Sequence, residues 1–231
     1  MSEEIQYKTK SKIRNTYINV IGRVLVLIAV VQAVRLCIDK LLVELFWDRQ
    51  SIFAYRIISS VTFIIVACLM LAFLRPDRES LGLKSVNDSK YGRLLYYSGA
   101  AIVLMLVCTS YSFGVETFVN NISFGIVVPI SEELLFRGYI WSRLEQAGGK
   151  HSRIAVLAIV TILFGIWHLG YFDSLYYVLS IKGIAGNLRV MLLFKVAVGI
   201  VLGLLVGLVR LKSGKVYGSI IIHSLWNIFA P

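Results

Sequence analysis

Long, nearly charge-free apolar runs recur along the whole chain, separated by short segments that carry most of its charge. A hydrocarbon core about 30 Å thick is crossed by about 20 helical residues, so most of these runs have the length of one membrane crossing. Hydrophobic residues fill 58% of the 231 positions and charged residues only 16%, too apolar a balance for a soluble globular enzyme or a disordered chain. The same balance excludes a single anchor carrying a large water-soluble domain. Cys37, Cys68 and Cys108 stand in or beside separate runs without CxxC spacing, so they read as small apolar residues rather than a disulfide or zinc framework.

Bounding the runs by charges and turn residues gives about seven spans. They are Thr16 to Ile38, Ile57 to Leu74, Leu94 to Phe113, Phe118 to Trp141, Ile154 to Gly170, Leu188 to Val209 and a short Val216 to Phe229. The expected fold is all-α, a polytopic transmembrane helical bundle with a polar cavity formed by the later helices. Residues 1-93 hold the first two spans and the connector after them, and residues 94-231 hold the remaining five. No repeat or long linker divides them, so one membrane domain is expected overall. The basic start precedes an apolar run with no small-residue cleavage site, which reads as a retained first helix.

Lys and Arg are retained on the cytoplasmic side of a membrane. Lys8, Lys10, Lys12 and Arg14 precede the first span; Arg75, Arg78, Lys84, Lys90 and Arg93 follow the second; Arg143, Lys150 and Arg153 follow the fourth; Arg210, Lys212 and Lys215 follow the sixth. Lys40, Arg49, Arg56 and Lys182 fall on the other side. The amino terminus is therefore expected in the cytoplasm and the carboxyl terminus outside. This topology accounts for the net charge of +11. No basic stripe with interleaved aromatics is present, so the expected partner is the lipid bilayer and not nucleic acid.

Ionisable groups inside a span each cost at least about 2.5 to 3.5 kcal/mol, so each needs a partner or a purpose. The fourth span reads Pro129-Ile130-Ser131-Glu132-Glu133-Leu134-Leu135-Phe136-Arg137. Consecutive helical residues diverge by about 100°, so the two carboxylates point apart. Glu133 and Arg137, four apart with the acid first, form the favourable ion pair of a helix face and read as structural. Glu132 is left without such a partner. The fifth span places Phe164 and His168 four apart, and the seventh does the same with His223 and Asn227. His151, the third histidine, lies in a basic turn and reads as solvated.

A carboxylate without a partner, two imidazoles and an amide on three spans are the parts that activate water and stabilise an oxyanion. The same groups also suit a proton or ion pathway, and the residues alone do not choose between the two. The small residues Gly199, Gly203 and Gly207 are spaced for close helix contact. Arg23, Arg35 and Lys195 read as cations that snorkel to an interface, with neutralisation of the cavity as the alternative, and Tyr171, Phe172, Tyr176 and Tyr177 as an interfacial aromatic belt in preference to a substrate lip.

The ordered motifs EExxxR, FxxxH and HxxxN, here Glu132, Glu133 and Arg137, then Phe164 and His168, then His223 and Asn227, resemble those of the CPBP intramembrane endopeptidases. This family, also called Abi, includes type II CAAX prenyl endopeptidases and bacteriocin-processing or immunity proteins. The resemblance covers Leu94 to the carboxyl end, and the Arg78 to Lys84 segment resembles the stretch that precedes such domains. It implies that Glu132 and His168 hold and activate the attacking water while His223 and Asn227 stabilise the oxyanion, with Glu133, Arg137 and Phe164 in support.

It also implies one of two chemistries. Metal-independent water activation, with no cofactor required, is the expectation. Zinc is the alternative, with Glu132, His168 and His223 as its three ligands. The chain has no HExxH, no GxSG and no GxGD. The substrate implied is a membrane-associated peptide or protein: a CAAX-type tail, a bacteriocin or pheromone precursor, or a similar segment. A compact basic chain fits a prokaryotic cell membrane, which favours peptide processing or immunity over prenyl-protein maturation. The rival readings are a non-catalytic membrane binding or immunity protein and a proton-coupled transporter, the latter lacking a half-to-half repeat.

Overall fold

The computed structural model describes residues 3-46, 51-85, 90-148, 152-183 and 186-229. Arg49, Lys150 and His151 lie outside them. The described residues are helical throughout, apart from short turns and the connector between the second and third spans. In chain order the α-helices are α1 (Glu3–Phe46), α2 (Ile52–Leu74), α3 (Lys90–Thr109), α4 (Val115–Ile122), α5 (Val128–Glu133), α6 (Trp141–Gly148), α7 (Arg153–Trp167), α8 (Phe172–Lys182), α9 (Leu188–Ser213) and α10 (Tyr217–Phe229).

Six stretches are long and apolar enough to cross a membrane: Tyr17–Phe46, Ile52–Leu74, Lys90–Phe113, Val115–Gly148, Arg153–Lys182 and Leu188–Ser213. They coincide with the first six expected spans, several of them extended past the charges used to bound them. The seventh becomes α10, whose 13 residues rise about 20 Å and fall short of a crossing. Side chains such as Leu94, Leu104, Met105, Phe113, Leu193 and Phe194 stand on the outside, as lipid-facing residues must, while Phe136, Trp141, Phe164, Trp167 and Val206 fill the interior.

The fourth span is not one regular helix. It runs α4, a π-helical stretch Ser123–Val127, α5, a second π-helical stretch Leu134–Ile140, then α6. Pro129 stands in the first turn of α5. The carbonyl of Ser123 accepts from the N–H of Val128, five residues on. In that register the Phe124 carbonyl points to residue 129, a proline with no N–H to give. The missing donor comes from α10: Asn227 Nδ2 donates to the Phe124 carbonyl at 2.8 Å. Gly125 lets α10 approach this closely, since a methyl group there would stand 2.8 Å from Ile228 Cγ1.

Helices α7 and α9 pack in antiparallel register along the glycine stripe. Methyl groups at Gly207, Gly203 and Gly199 would lie 2.6 Å from Leu157, 3.2 Å from Phe164 and 2.7 Å from His168 Nδ1. The stripe is thus a packing seam, as its spacing indicates. On the connector, Gly82 at φ 69° allows its carbonyl to accept from Val216 N–H at 3.1 Å, and Leu81 lies against Gly138 of the second π stretch. Arg210 donates from Nε to the Arg137 carbonyl at 2.8 Å, tying α9 to that same stretch.

Candidate active site

Four elements bring the motif residues together: α5 with the π stretch behind it, the end of α7, α9 and α10. Glu132, Glu133, Arg137 and His223 are all buried, with Arg137 fully so. Arg137 Nη1 pairs with Glu133 Oε1 at 3.1 Å, its Nη2 donates to the Gly203 carbonyl at 2.9 Å, and its guanidinium carbon lies 4.2 Å from the Phe164 ring centre. Gly203 has no side chain to block that carbonyl. The Glu133 oxygen that takes Arg137 also receives His223 Nδ1 at 2.9 Å. Glu133 therefore fixes both the cation and the imidazole, a second task that helical spacing within one span does not reveal.

The opposite edge of His223 faces the other glutamate, with Nε2 at 3.7 Å from Glu132 Oε2. This is longer than a hydrogen bond. Glu132 Oε1 is held from α7 and the 3₁₀ turn after it: Trp167 Nε1 donates at 2.5 Å, and the Tyr171 hydroxyl donates to the same oxygen. Glu132 thus has neutral donors where the sequence suggested none. Trp167 and Tyr171 are the two site residues that the motif reading missed. Both carry a polar tip in an apolar span, and such tips need partners when buried, which was the available signal. Tyr171 accordingly leaves the interfacial belt to which its neighbours were assigned.

His168 is half-buried and donates from Nδ1 to the Phe164 carbonyl one turn back at 2.7 Å, which leaves Nε2 as its free nitrogen. Its ring stands edge-on to Phe164, 4.9 Å between centres, and Phe164 in turn meets the His223 ring at 5.7 Å. Phe164 is therefore the apolar divider between the two imidazoles. Asn227 is placed one turn beyond His223, and the contact its amide makes is to the Phe124 carbonyl. Among the described residues no three His, Cys, Asp or Glu side chains are grouped to hold a metal ion. Glu132, His168 and His223 do not meet as a ligand set among the described residues.

Arg35 is not a snorkelling cation. It is buried, donates from Nη2 to the Gly170 carbonyl at 2.6 Å and pairs with Asp173 at 3.0 Å. Its guanidinium lies 5.4 Å from the Tyr171 ring centre. Helix α1 thereby grips the turn that carries His168 and Tyr171. Asp39, one turn along α1, is also buried and accepts from Thr62 of α2 at 3.3 Å.

Compared with known families, residues 114–229 match the Rce1-like family, type II CAAX prenyl endopeptidases. The chain belongs to that family. An intramembrane endopeptidase of the CAAX type is therefore the activity at the level of the family. No curated protein and no solved structure matches the chain significantly. The matched region begins at α4 and includes every motif residue, while α1 to α3 lie outside it. The family description names CAAX endopeptidases and carries nothing about bacteriocin processing or immunity.

Proposed function

We propose that the protein hydrolyses a peptide bond in the C-terminal tail of a membrane-associated, CAAX-type substrate, with Glu132 as the base that activates water. The observation that carries this reading is the asymmetric environment of Glu132. Trp167 and Tyr171 both donate to Oε1, which leaves Oε2 directed toward His223 and available to take a proton. Water gives that proton to Glu132 as its oxygen adds to the scissile carbonyl carbon. His168, with Nδ1 committed to the Phe164 carbonyl, holds the water through Nε2.

The charge that develops on the carbonyl oxygen needs donors. His223 Nδ1 donates to Glu133, so Nε2 donates as well only in the imidazolium form, for which the two glutamates supply the counter-charge. The second Asn227 N–H is the other donor proposed for the oxyanion. On collapse the C–N bond breaks, and the proton held by Glu132 passes to the leaving amine, so that one water is consumed for one acid and one amine formed. Phe164, Phe136 and Trp167 wall the site with rings, which lowers the local dielectric and strengthens each of these interactions.

The test is cleavage of lipidated tail peptides by the purified protein in detergent. Glu132→Gln and His168→Ala are each expected to lower kcat by a factor of about 100 or more while the protein remains folded. A strong zinc chelator is expected to leave the rate unchanged. Undiminished cleavage by Glu132→Gln removes Glu132 as the base, tight peptide binding without any cleavage supports a sequestering protein, and chelator sensitivity replaces the metal-independent step.

A further inference from the structure

Lys195 occupies the next position of the α9 seam, four residues before Gly199. Along this face Gly207 meets Leu157, Gly203 meets Phe164, Gly199 meets His168, and Lys195 meets Tyr171, its Nζ 5.3 Å from that ring centre. The seam therefore turns from glycine to a cation at the point where α7 gives way to the turn that holds Glu132. Lys195 shares a face with residues packed on His168, so its head is directed to the site and not up the outside of the bundle.

Three buried arginines near the site are engaged. Arg137 is engaged by Glu133 and the Gly203 carbonyl, Arg35 by Asp173 and the Gly170 carbonyl, and Arg210 by the Arg137 carbonyl. Lys195 has no carboxylate within ion-pair distance among the described residues. An ammonium placed inside a membrane without an ion pair is costly unless it has a function. His168 and Lys195 are less buried than Glu132, Glu133, Tyr171 and His223, and they lie on the more open side of the glutamates.

A site built on two glutamates repels an anionic peptide end, and a tail cleaved near its terminus brings a free α-carboxylate close to them. We propose that Lys195 receives this terminal carboxylate, placing a peptide bond a few residues upstream over Glu132 and His168. The inference rests on the endopeptidase reading above and adds to it a residue that positions the tail, Lys195 on α9, outside the motifs. Tyr171 orients both sides, holding Glu132 through its hydroxyl and Lys195 over its ring.

The experiment uses two lipidated peptides of one sequence, ending in a carboxylate or in a carboxamide, and full-length protein in nanodiscs. Binding is measured on Glu132→Gln protein, so that it is read without turnover. That protein is expected to bind the acid at least about tenfold more tightly than the amide, Lys195→Met added to it to bring the acid to the level of the amide, and Lys195→Arg to preserve the preference. With Glu132 intact, the preference is expected chiefly in KM. Equal binding of the two peptides, or a Lys195→Met loss that is the same for both, overturns the proposal and makes Lys195 a neutraliser of Glu132. Cleavage of both peptides without preference does so too while keeping the endopeptidase reading. Acid-selective binding without cleavage does the reverse, sustaining the carboxylate site and defeating the endopeptidase.

Discussion

Asn227 donates to the Phe124 carbonyl at 2.8 Å, across 103 positions of sequence, and in doing so replaces the backbone donor that Pro129 lacks. The π register of Ser123–Val127, which sets the helix on course toward Glu132, thus depends on a side chain from the last helix. Asn227→Ala is expected to destabilise the protein by about 1 to 3 kcal/mol, the cost of a buried acceptor left unpaired. Adding Pro129→Ala supplies an N–H and is expected to restore most of that stability. Thermal unfolding in detergent reads this cycle. If Asn227 also serves the oxyanion, the double variant regains its melting temperature and not its kcat.

The two adjacent glutamates are expected to fail in different ways. Glu132→Gln keeps an acceptor for Trp167 and Tyr171 and removes only the base, so folding is retained and turnover is lost. Glu133→Ala strips the carboxylate from Arg137, which is fully buried, and the partner from His223. Breaking such a pair leaves an uncompensated charge and costs about 3 to 5 kcal/mol. Unfolding curves and single-turnover rates on the two variants separate the roles.

Much of this was legible in the residues because it is local to one helix. The Glu133–Arg137 pair, the Phe164–His168 face and the glycine seam all follow from spacings of four. What could not be read is the meeting of distant elements. Trp167 reaches Glu132 from the end of α7, and Tyr171 joins it from a 3₁₀ turn that follows, a change that no periodicity announces. Arg35 read as a snorkelling cation because its partner, Asp173, lies 138 positions away. The fourth span runs to Gly148, beyond the expected Trp141, because α6 continues through Arg143 and Glu145, the charges that bound the apolar run.

Gly199→Ala tests the seam where it touches chemistry. A methyl group there would stand 2.7 Å from His168 Nδ1, too close unless the imidazole turns away from the Phe164 carbonyl. Turnover is expected to fall at least about tenfold, because a small displacement of a positioned group is enough to lose this much. Gly207→Ala meets the far end of Leu157 at 2.6 Å, which can give way, and is expected to retain more than half of the activity. Equal losses in both variants would mean that the seam acts through packing alone.

Asp77 in the connector accepts from the Ser80 N–H at 2.7 Å. Bonding to Ser80, side chain first and backbone second, lowers its carboxyl below the ordinary carboxylate range. A depressed folded value stabilises the charged form, so its contribution is complete above the unfolded value of about 3.9 and fades as pH falls through the lower folded value. The melting temperatures of native protein and Asp77→Asn are therefore expected to differ at neutral pH and to converge below about pH 3.9. A difference that persists unchanged into acid assigns the effect to the turn itself and not to its charge.

Helix α1 lies outside the matched residues 114–229, yet Arg35 holds the Gly170 carbonyl and Asp173 and stands beside the Tyr171 ring. A flanking helix that served only as an anchor would have no reason to bury a guanidinium against the turn that carries His168. Arg35→Met and Asp173→Asn are each expected to lower stability, and the double variant to lose less than their sum, with a coupling of about 1 to 3 kcal/mol. Arg35 connects to Glu132 through this turn and Tyr171, so kcat is expected to drop in Arg35→Met even at temperatures where the protein is fully folded. Arg35→Lys, which keeps the charge but offers a single donor group in place of the planar fork, should fall between native protein and Arg35→Met in both readouts.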